Sequence, residues 1–236
     1  MNALIFAAGL GARMRPLTDH LPKPLLDVGG KPLIAWHLEK LAALGIRNVV
    51  INTSWLAEQL PRALGDGSHW GLHLHFSHEG PTPLETGGGM LNAMPVLGEA
   101  PFIAVNGDIW TDYDFAQLPR EPQGLAHLVL VDNPEHHPQG DFQLEADGGL
   151  QSEGTHKLTF AGIGVYHPQL LSNWRDVIGH TGGADETPPR FMLAPLLRAA
   201  MQEHRVHGEH HTGRWTDVGT PERLAALRNE LAEAHA

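Results

Sequence analysis

Ala3-Leu4-Ile5-Phe6-Ala7-Ala8 runs without a break into Gly9-Leu10-Gly11-Ala12-Arg13-Met14-Arg15-Pro16-Leu17-Thr18, and then into Leu21-Pro22-Lys23-Pro24-Leu25. Six apolar residues in a row are too few for a helix and fit a strand buried on both faces. Two glycines at the end of such a strand let the backbone approach a ligand, and their exposed N–H groups suit phosphate oxygens. Arg13 offers a planar fork for those oxygens, and Lys23, held between two prolines, offers a point charge. Other nucleotide loops do not fit. A dinucleotide fingerprint needs a third glycine where Met14 stands, with a helix where Pro16 follows. A Walker loop needs Ser or Thr after Gly30-Lys31, and Pro32 is there instead.

Outward from this stretch, Asn48–Thr53, Phe102–Asn106 and Leu125–Val131 read as further buried strands. Between the first two strands, Leu33, Trp36, His37, Leu41 and Leu44 recur at helical spacing within 32–44, and Gly45 supplies the stop. Strand, helix, strand implies a parallel sheet with crossover helices, an α/β fold. After about residue 140 the pattern changes. Asp147-Gly148-Gly149 predicts a hairpin between Phe142–Leu144 and Leu158–Tyr166, so antiparallel strands are expected in the C-terminal half. Residues 193–201 and 221–234 read as helices, the second opened by Thr220 and Pro221. Residues 179–190, rich in glycine and proline, read as a mobile loop.

The 236 residues carry 27 acidic and 16 basic side chains, a formal charge of −11 with 17 histidines neutral. That balance repels a polyphosphate backbone and argues against nucleic acid. The sign reverses locally: up to residue 31, Arg13, Arg15, Lys23 and Lys31 face only Asp19 and Asp27. There is no cysteine, so thiolate chemistry and disulfides are excluded. No stretch approaches the ~20 apolar residues of a membrane span, and the apolar start lacks a basic leader. A soluble, cytoplasmic protein is expected.

Two aspartates stand where strands end. Asp108 closes Phe102–Asn106 through Asn106-Gly107, and Asp217 lies in Trp215-Thr216-Asp217-Val218-Gly219-Thr220. Carboxylates at strand ends converge across a sheet top and suit Mg²⁺, although each also reads as a turn residue. Asp112 and Asp114 are weaker candidates, Asp114 as the N-cap of a short helix from Phe115. Glu85-Thr86-Gly87-Gly88-Gly89 precedes an expected helix start at Met90, where glycines suit a flat base or simply a loop. Asp141 suits sugar hydroxyls or a surface turn. The histidines, His136-His137 among them, lack ligand spacing with a matching carboxylate pair. Trp110 and Trp215 read as core.

Ala7-Ala8-Gly9-x-Gly11-x-Arg13-Met14 with Pro16-Leu17-Thr18 and Pro22-Lys23-Pro24-Leu25 resembles the signature of the sugar-1-phosphate nucleotidyltransferases. The resemblance implies a Rossmann-like, mostly parallel mixed sheet flanked by helices. It implies one domain over residues 1–236, with a nucleotide-binding half to about residue 120 and a sugar-binding half after it. It places Gly9, Gly11, Ala12, Arg13 and Lys23 around a nucleoside triphosphate, with Arg13 and Lys23 acting in catalysis. Glu85, Thr86, Gly87 and Gly88 then hold base and ribose, Asn106 and Asp141 contact substrate, and Asp108 and Asp217 bind Mg²⁺ or Mn²⁺. Within the family the likeness is finest to the short uridylyltransferases of cell-wall recycling. That implies uridylyl transfer from UTP to N-acetylmuramate 1-phosphate, with another uridylyl or guanylyl transfer to glucose, N-acetylglucosamine or mannose 1-phosphate as the alternative, and a nucleotide-sensing module without catalysis as a remote one. Members that make thymidylyl sugars carry a Glu-Lys-Pro segment whose lysine contacts the sugar phosphate. No such segment stands between Asp141 and Gly162, which leaves that phosphate without an assigned cation. For a lactyl carboxylate on the sugar, Arg190, Arg198 and Arg214 are unranked candidates.

Overall fold

Alternate residues of the first strand face two different cores, which is why its sequence is apolar throughout. In the computed structural model, which describes residues 1–233, Leu4 joins one buried cluster while Ala3 and Ile5 join another. The strands are β1 (Ala3–Phe6), β2 (Asp27–Val28), β3 (Lys31–Pro32), β4 (Asn48–Thr53), β5 (His73–His78), β6 (Phe102–Asn106) and β7 (Ile109–Thr111). They continue as β8 (Ala126–Val131), β9 (Phe142–Leu144), β10 (Leu150–Gln151), β11 (Lys157–Tyr166), β12 (Val206–His211) and β13 (Trp215–Asp217). The helices are α1 (Leu33–Ala43), α2 (Gln59–Leu64), α3 (Glu85–Leu97), α4 (Trp174–Ile178), α5 (Ala194–Gln202) and α6 (Pro221–Glu233). Ala234, the expected last residue of the final helix, lies outside the described residues.

One mixed sheet of nine strands organises the molecule. Strands β5, β4, β1 and β6 are successive parallel neighbours. Then β11 pairs antiparallel with β6 along one edge and with β8 along the other, and β12 joins β8 in parallel. The expected fold class holds, antiparallel additions included. The hairpin is corrected in one respect: the turn at Asp147–Gly149 joins β9 to the two-residue β10, and β9 pairs with β11 separately. Helices α3 and α5 cover one face, through Met90, Ala93 and Leu97 and through Leu196, Leu197 and Met201. Helix α1 covers the other with Ile34, Leu38 and Leu41. A third cluster seats Met14 against Trp110, Val218 and the Leu224, Leu227 and Leu231 face of α6. Met14 is therefore a fully buried anchor of the glycine loop, which explains a long side chain where a dinucleotide loop has glycine. Among the described residues no helix is long and apolar enough to cross a membrane.

The chain leaves β1 for β4 and β5 on one side and returns to β6 on the other. Such a reversal opens a crevice beyond the carboxyl ends of the two central strands, where ligands of open α/β sheets bind. The glycine loop follows β1, and Asp108 follows β6.

Candidate active site

A cavity of about 220 Å³ fills that crevice. Its walls are Phe6 to Gly9 after β1, Lys23 and Pro24, Asn52 and Glu79, Pro83, Glu85 and Thr86, and Asn106 and Asp108. Thus Gly9, Lys23, Glu85, Thr86, Asn106 and Asp108 come together around one cavity. The rest of the glycine loop stands off this lining. Gly11 takes a positive φ of 63°, and a Cβ there would lie 2.9 Å from Thr18 Cγ2. Thr18 Oγ1 donates to the Gly11 carbonyl at 2.7 Å, closing the loop over the turn Ala12–Met14. Arg13 is exposed on that turn with no ion pair or hydrogen bond among the described residues.

Lys23 Nζ lies 2.9 Å from Asp108 Oδ2, the lysine side chain only 12% exposed. Asp217 is off the cavity lining, and backbone pairing sets its strand beside the segment that carries Asp108. Strand β13 lies antiparallel to β7 with Asp217 opposite Ile109, and Val218 N–H donates to the Asp108 carbonyl at 2.7 Å. Two carboxylates distant in sequence are thereby held on adjacent strand ends. Asp217 Oδ2 lies 2.9 Å from Arg223 Nη2. His136 Nε2 lies 3.0 Å from Asp217 Oδ1, yet Oδ1 is buried with no hydrogen-bond partner. A buried, unsatisfied carboxylate oxygen beside a second carboxylate fits a hard divalent cation. Among the described residues no group of three or more His, Asp or Glu side chains forms a metal cage. The donor set therefore suits Mg²⁺, which binds through one or two carboxylates and completes its shell with water and phosphate oxygens.

A buried polar relay that the sequence reading missed floors the cavity. Ala7 N–H donates to Asn52 Oδ1 at 2.6 Å, Asn52 Nδ2 donates to Glu79 Oε1 at 2.7 Å, and Leu84 N–H donates to Glu79 Oε2 at 2.7 Å. Asn52 is 2% and Glu79 6% exposed. Burial raises the Glu79 pKa, while the donors from Leu84 and Asn52 oppose the rise. The relay ties the ends of β1 and β4 to the approach to α3. Gly89 makes room for it, since a Cβ there would lie 2.5 Å from Glu79 Oε1. Polar residues at strand ends facing an apolar core were the available signal.

The glycine triplet is corrected. Helix α3 begins at Glu85, so Gly87, Gly88 and Gly89 lie inside its first turns. Gly87 and Gly88 are off the cavity lining. Their N–H groups donate to the Phe191 carbonyl at 2.9 and 3.0 Å, and a Cβ on Gly87 would lie 2.5 Å from the Phe191 ring. These two glycines let the 189–192 segment lie against α3. Glu85 holds a positive φ of 63°, a conformation rare outside glycine, with its side chain exposed. Residues 183–190 carry order of their own, with Gly183 bridged to Arg190 and Arg190 paired with Glu186 at 2.7 Å.

On the far side, β11 is irregular between Phe160 and Gly164. Gly162 there has φ 76°, and a Cβ would lie 2.6 Å from Asn106 Nδ2, so the bulge frees space for the Asn106 side chain. The groups it exposes are bonded by neighbours: Phe160 N–H donates to Asp141 Oδ2 at 2.8 Å, and Trp215 Nε1 donates to the Ala161 carbonyl at 2.9 Å. Asp141 is off the cavity lining and serves this bulge, its other oxygen 3.2 Å from His137 Nε2. The histidine pair set aside in the sequence thus has partners: His136 meets Asp217 and His137 meets Asp141. Asp112 bonds His211, Asp114 caps its turn through Ala116 N–H, and both lie outside the cavity. Arg214 pairs with Glu230 and Arg198 is exposed on α5, whereas Arg190 lies beside Gly88. Behind Asp108, buried His37 holds the Ile109 carbonyl through Nε2 at 2.9 Å, and burial pushes its pKa down to about 4, so its ring stays neutral.

Residues 2–142 match the Nucleotidyl transferase family, more than half of the chain. The chain is 48% identical over 231 residues, 95% of each chain, to the N-acetylmuramate alpha-1-phosphate uridylyltransferase of Neisseria meningitidis. It is 32% identical to the protein of that name from Caulobacter vibrioides, over 98% of this chain and 97% of the relative. A Bacillus anthracis crystal structure assigned as a glucose-1-phosphate thymidylyltransferase superposes with a TM-score of 0.81 over 98% of this chain and 95% of that one, at 18% identity, a likeness of fold. The crevice at the reversal of the sheet, its glycine loop and its paired carboxylates accompany similarity along nearly the whole length, and the chain belongs to the nucleotidyl transferase family.

Proposed function

We propose that this protein transfers a uridylyl group from UTP to N-acetylmuramate α-1-phosphate in the cytoplasm, giving UDP-N-acetylmuramate and pyrophosphate for peptidoglycan recycling. The observation that carries the reading is the Lys23–Asp108 pair in the crevice beside the Gly9 loop, with the Asp217 strand bonded to the Asp108 backbone, in a chain 48% identical over 95% of its length to a uridylyltransferase of that name. A sugar-phosphate oxygen is already ionised at neutral pH, so its in-line attack on the α-phosphorus needs no general base. The bond from that phosphorus to the β-phosphate bridging oxygen breaks, and pyrophosphate leaves. What the protein supplies is position and charge. Gly9 and the loop after it give backbone N–H groups to the triphosphate, and Arg13, unpaired in the free chain, closes on it. Lys23 offsets charge on the equatorial oxygens and on the leaving group. Asp108 and Asp217 would hold Mg²⁺ or Mn²⁺, which when bound orients the two phosphates and offsets their charge.

The test is pyrophosphate release measured with UTP, GTP, ATP and dTTP against N-acetylmuramate, N-acetylglucosamine, glucose and mannose 1-phosphates. The highest kcat/KM is expected for UTP with N-acetylmuramate 1-phosphate. A preference for GTP or for mannose 1-phosphate would move the protein to another branch of the family, and no release with any pair would leave a nucleotide-sensing role.

A further inference from the structure

Each candidate metal carboxylate already holds one cation of the chain: Lys23 on Asp108 and Arg223 on Asp217, both at 2.9 Å. The two pairs differ in completeness. Lys23 makes a true hydrogen bond to its partner. Arg223 has Nε and Nη2 buried with no hydrogen-bond partner, so its guanidinium sits beside Asp217 without the aligned donors that such a group requires. Space is kept for it, because a Cβ on Gly219 would collide with Nη2. A guanidinium that is ion-paired through one nitrogen and has two donors without an aligned acceptor can take a further anion. Lys23 comes from the loop after β1 and lines the cavity, whereas Arg223 comes from the first turn of α6 behind β13, on the Asp217 side. The second phosphate also has no cation assigned from the sequence, since no Glu-Lys-Pro segment stands between Asp141 and Gly162.

We propose that Arg223 is the phosphate-binding cation for the acceptor: it neutralises Asp217 in the metal-free chain and turns its fork onto a phosphate monoester dianion when a divalent ion takes that carboxylate. This rests on the reading of the site as a sugar-phosphate nucleotidyltransferase. Two consequences have opposite signs. Removing Arg223 takes a competitor from Asp217, so the free protein should bind a divalent ion more tightly. The same removal should weaken the acceptor phosphate and spare the triphosphate. A purely structural Arg223, needed to hold Asp217 in place, would weaken metal binding instead.

The experiment uses the full chain as wild type, R223Q and R223K. Mn²⁺ is titrated by electron paramagnetic resonance without nucleotide, and R223Q is expected to bind it about tenfold more tightly, with R223K close to wild type because it keeps the charge. Unchanged or weaker Mn²⁺ binding in R223Q overturns the proposal. Inorganic phosphate is then titrated calorimetrically in the presence of Mn²⁺, and its affinity is expected to fall about tenfold in R223Q and less in R223K. Equal phosphate affinity in all three proteins also overturns it. In initial-rate assays the acceptor KM should rise while the UTP KM stays within about twofold; parallel rises in both KM values count against it. If R223Q does not fold, R223K decides the matter through a raised acceptor KM with unchanged Mn²⁺ binding, since a lysine lacks the fork. Failure of the wild type to release pyrophosphate would sink the proposed reaction, whereas the Mn²⁺ and phosphate titrations judge Arg223 without turnover.

Discussion

The two walls of the crevice are held by different forces. On the glycine-loop side, the ends of β1 and β4 and the start of α3 are joined by the Ala7–Asn52–Glu79–Leu84 relay, buried and fully hydrogen-bonded. On the opposite side, the carboxylates are held by ion pairs that solvent partly reaches: Asp217 by Arg223 and by His136, whose side chain is 41% exposed, and Asp141 by His137. Buried networks fix one geometry because each donor left without its acceptor costs a desolvation penalty. Exposed ion pairs contribute little and can exchange partners. One wall is thus preorganised, and the other is held by contacts that can exchange.

The largest effects should come where the walls meet. Asp108→Asn and Asp217→Asn are each expected to lower kcat by about two orders of magnitude or more, as when one transition-state stabiliser is lost. Denaturant unfolding should show stability within about 1 kcal/mol of wild type, because the broken ion pairs are partly exposed. Full activity in either variant would remove that aspartate from the shared cation site, and with it the claim that the walls act on one ion.

Beneath this junction, His37 makes the stability of β7 depend on pH. Its pKa falls from 6.5 to about 4 on folding because burial disfavours the imidazolium, so the native state binds fewer protons between those values. Stability from this group is therefore complete above pH 6.5 and is lost as pH falls towards 4, roughly 3 kcal/mol in all. Denaturant midpoints of wild type and His37→Gln across that range should converge as pH falls. Parallel curves would mean that His37 does not carry the dependence.

Glu79→Gln probes the preorganised wall alone. Both Glu79 oxygens accept from N–H donors, and Asn52 cannot flip without turning its Nδ2 towards the Ala7 N–H. A glutamine amide would oppose donor to donor, so this nearly isosteric change should cost about 1–3 kcal/mol of unfolding free energy. Since burial raises the Glu79 pKa, the native carboxylate takes up its proton at a higher pH than the unfolded one, and its contribution to stability falls as pH rises through that window. An unchanged stability for the variant would show that the relay is not what fixes this wall.

The two walls also differ in how far the sequence discloses them. Gly9 and Asp108 stand just after buried strands, and Lys23 is fixed between two prolines, so the local sequence already says where they lie. Asp217 is marked by its motif and Arg223 follows it by six residues, but His136 comes from a loop far away in sequence that only the fold brings near. The Phe160–Gly164 bulge is invisible because a glycine within a strand pattern marks equally well a bulge or a plain weak point. The glycines at 87–89 are packed from three sides: Gly87 by Phe191, Gly88 by Pro189 and Gly89 by Glu79. A glycine pattern reports close approach and not what approaches.

The smallest effect is expected at His136, and it separates the walls most sharply. Its Nε2 lies 3.0 Å from Asp217 Oδ1 without a hydrogen bond to it, and the side chain is 41% exposed. His136→Gln should change unfolding free energy by about 0.5 kcal/mol or less, against the larger cost at Glu79. The substitution leaves Asp217 and its Arg223 partner in place, so Mg²⁺-dependent activity should stay within a few-fold of wild type. A loss of stability comparable to that of Glu79→Gln would mean that the opposite wall is as rigid as its neighbour, and the division between a fixed and an exchangeable wall would fail.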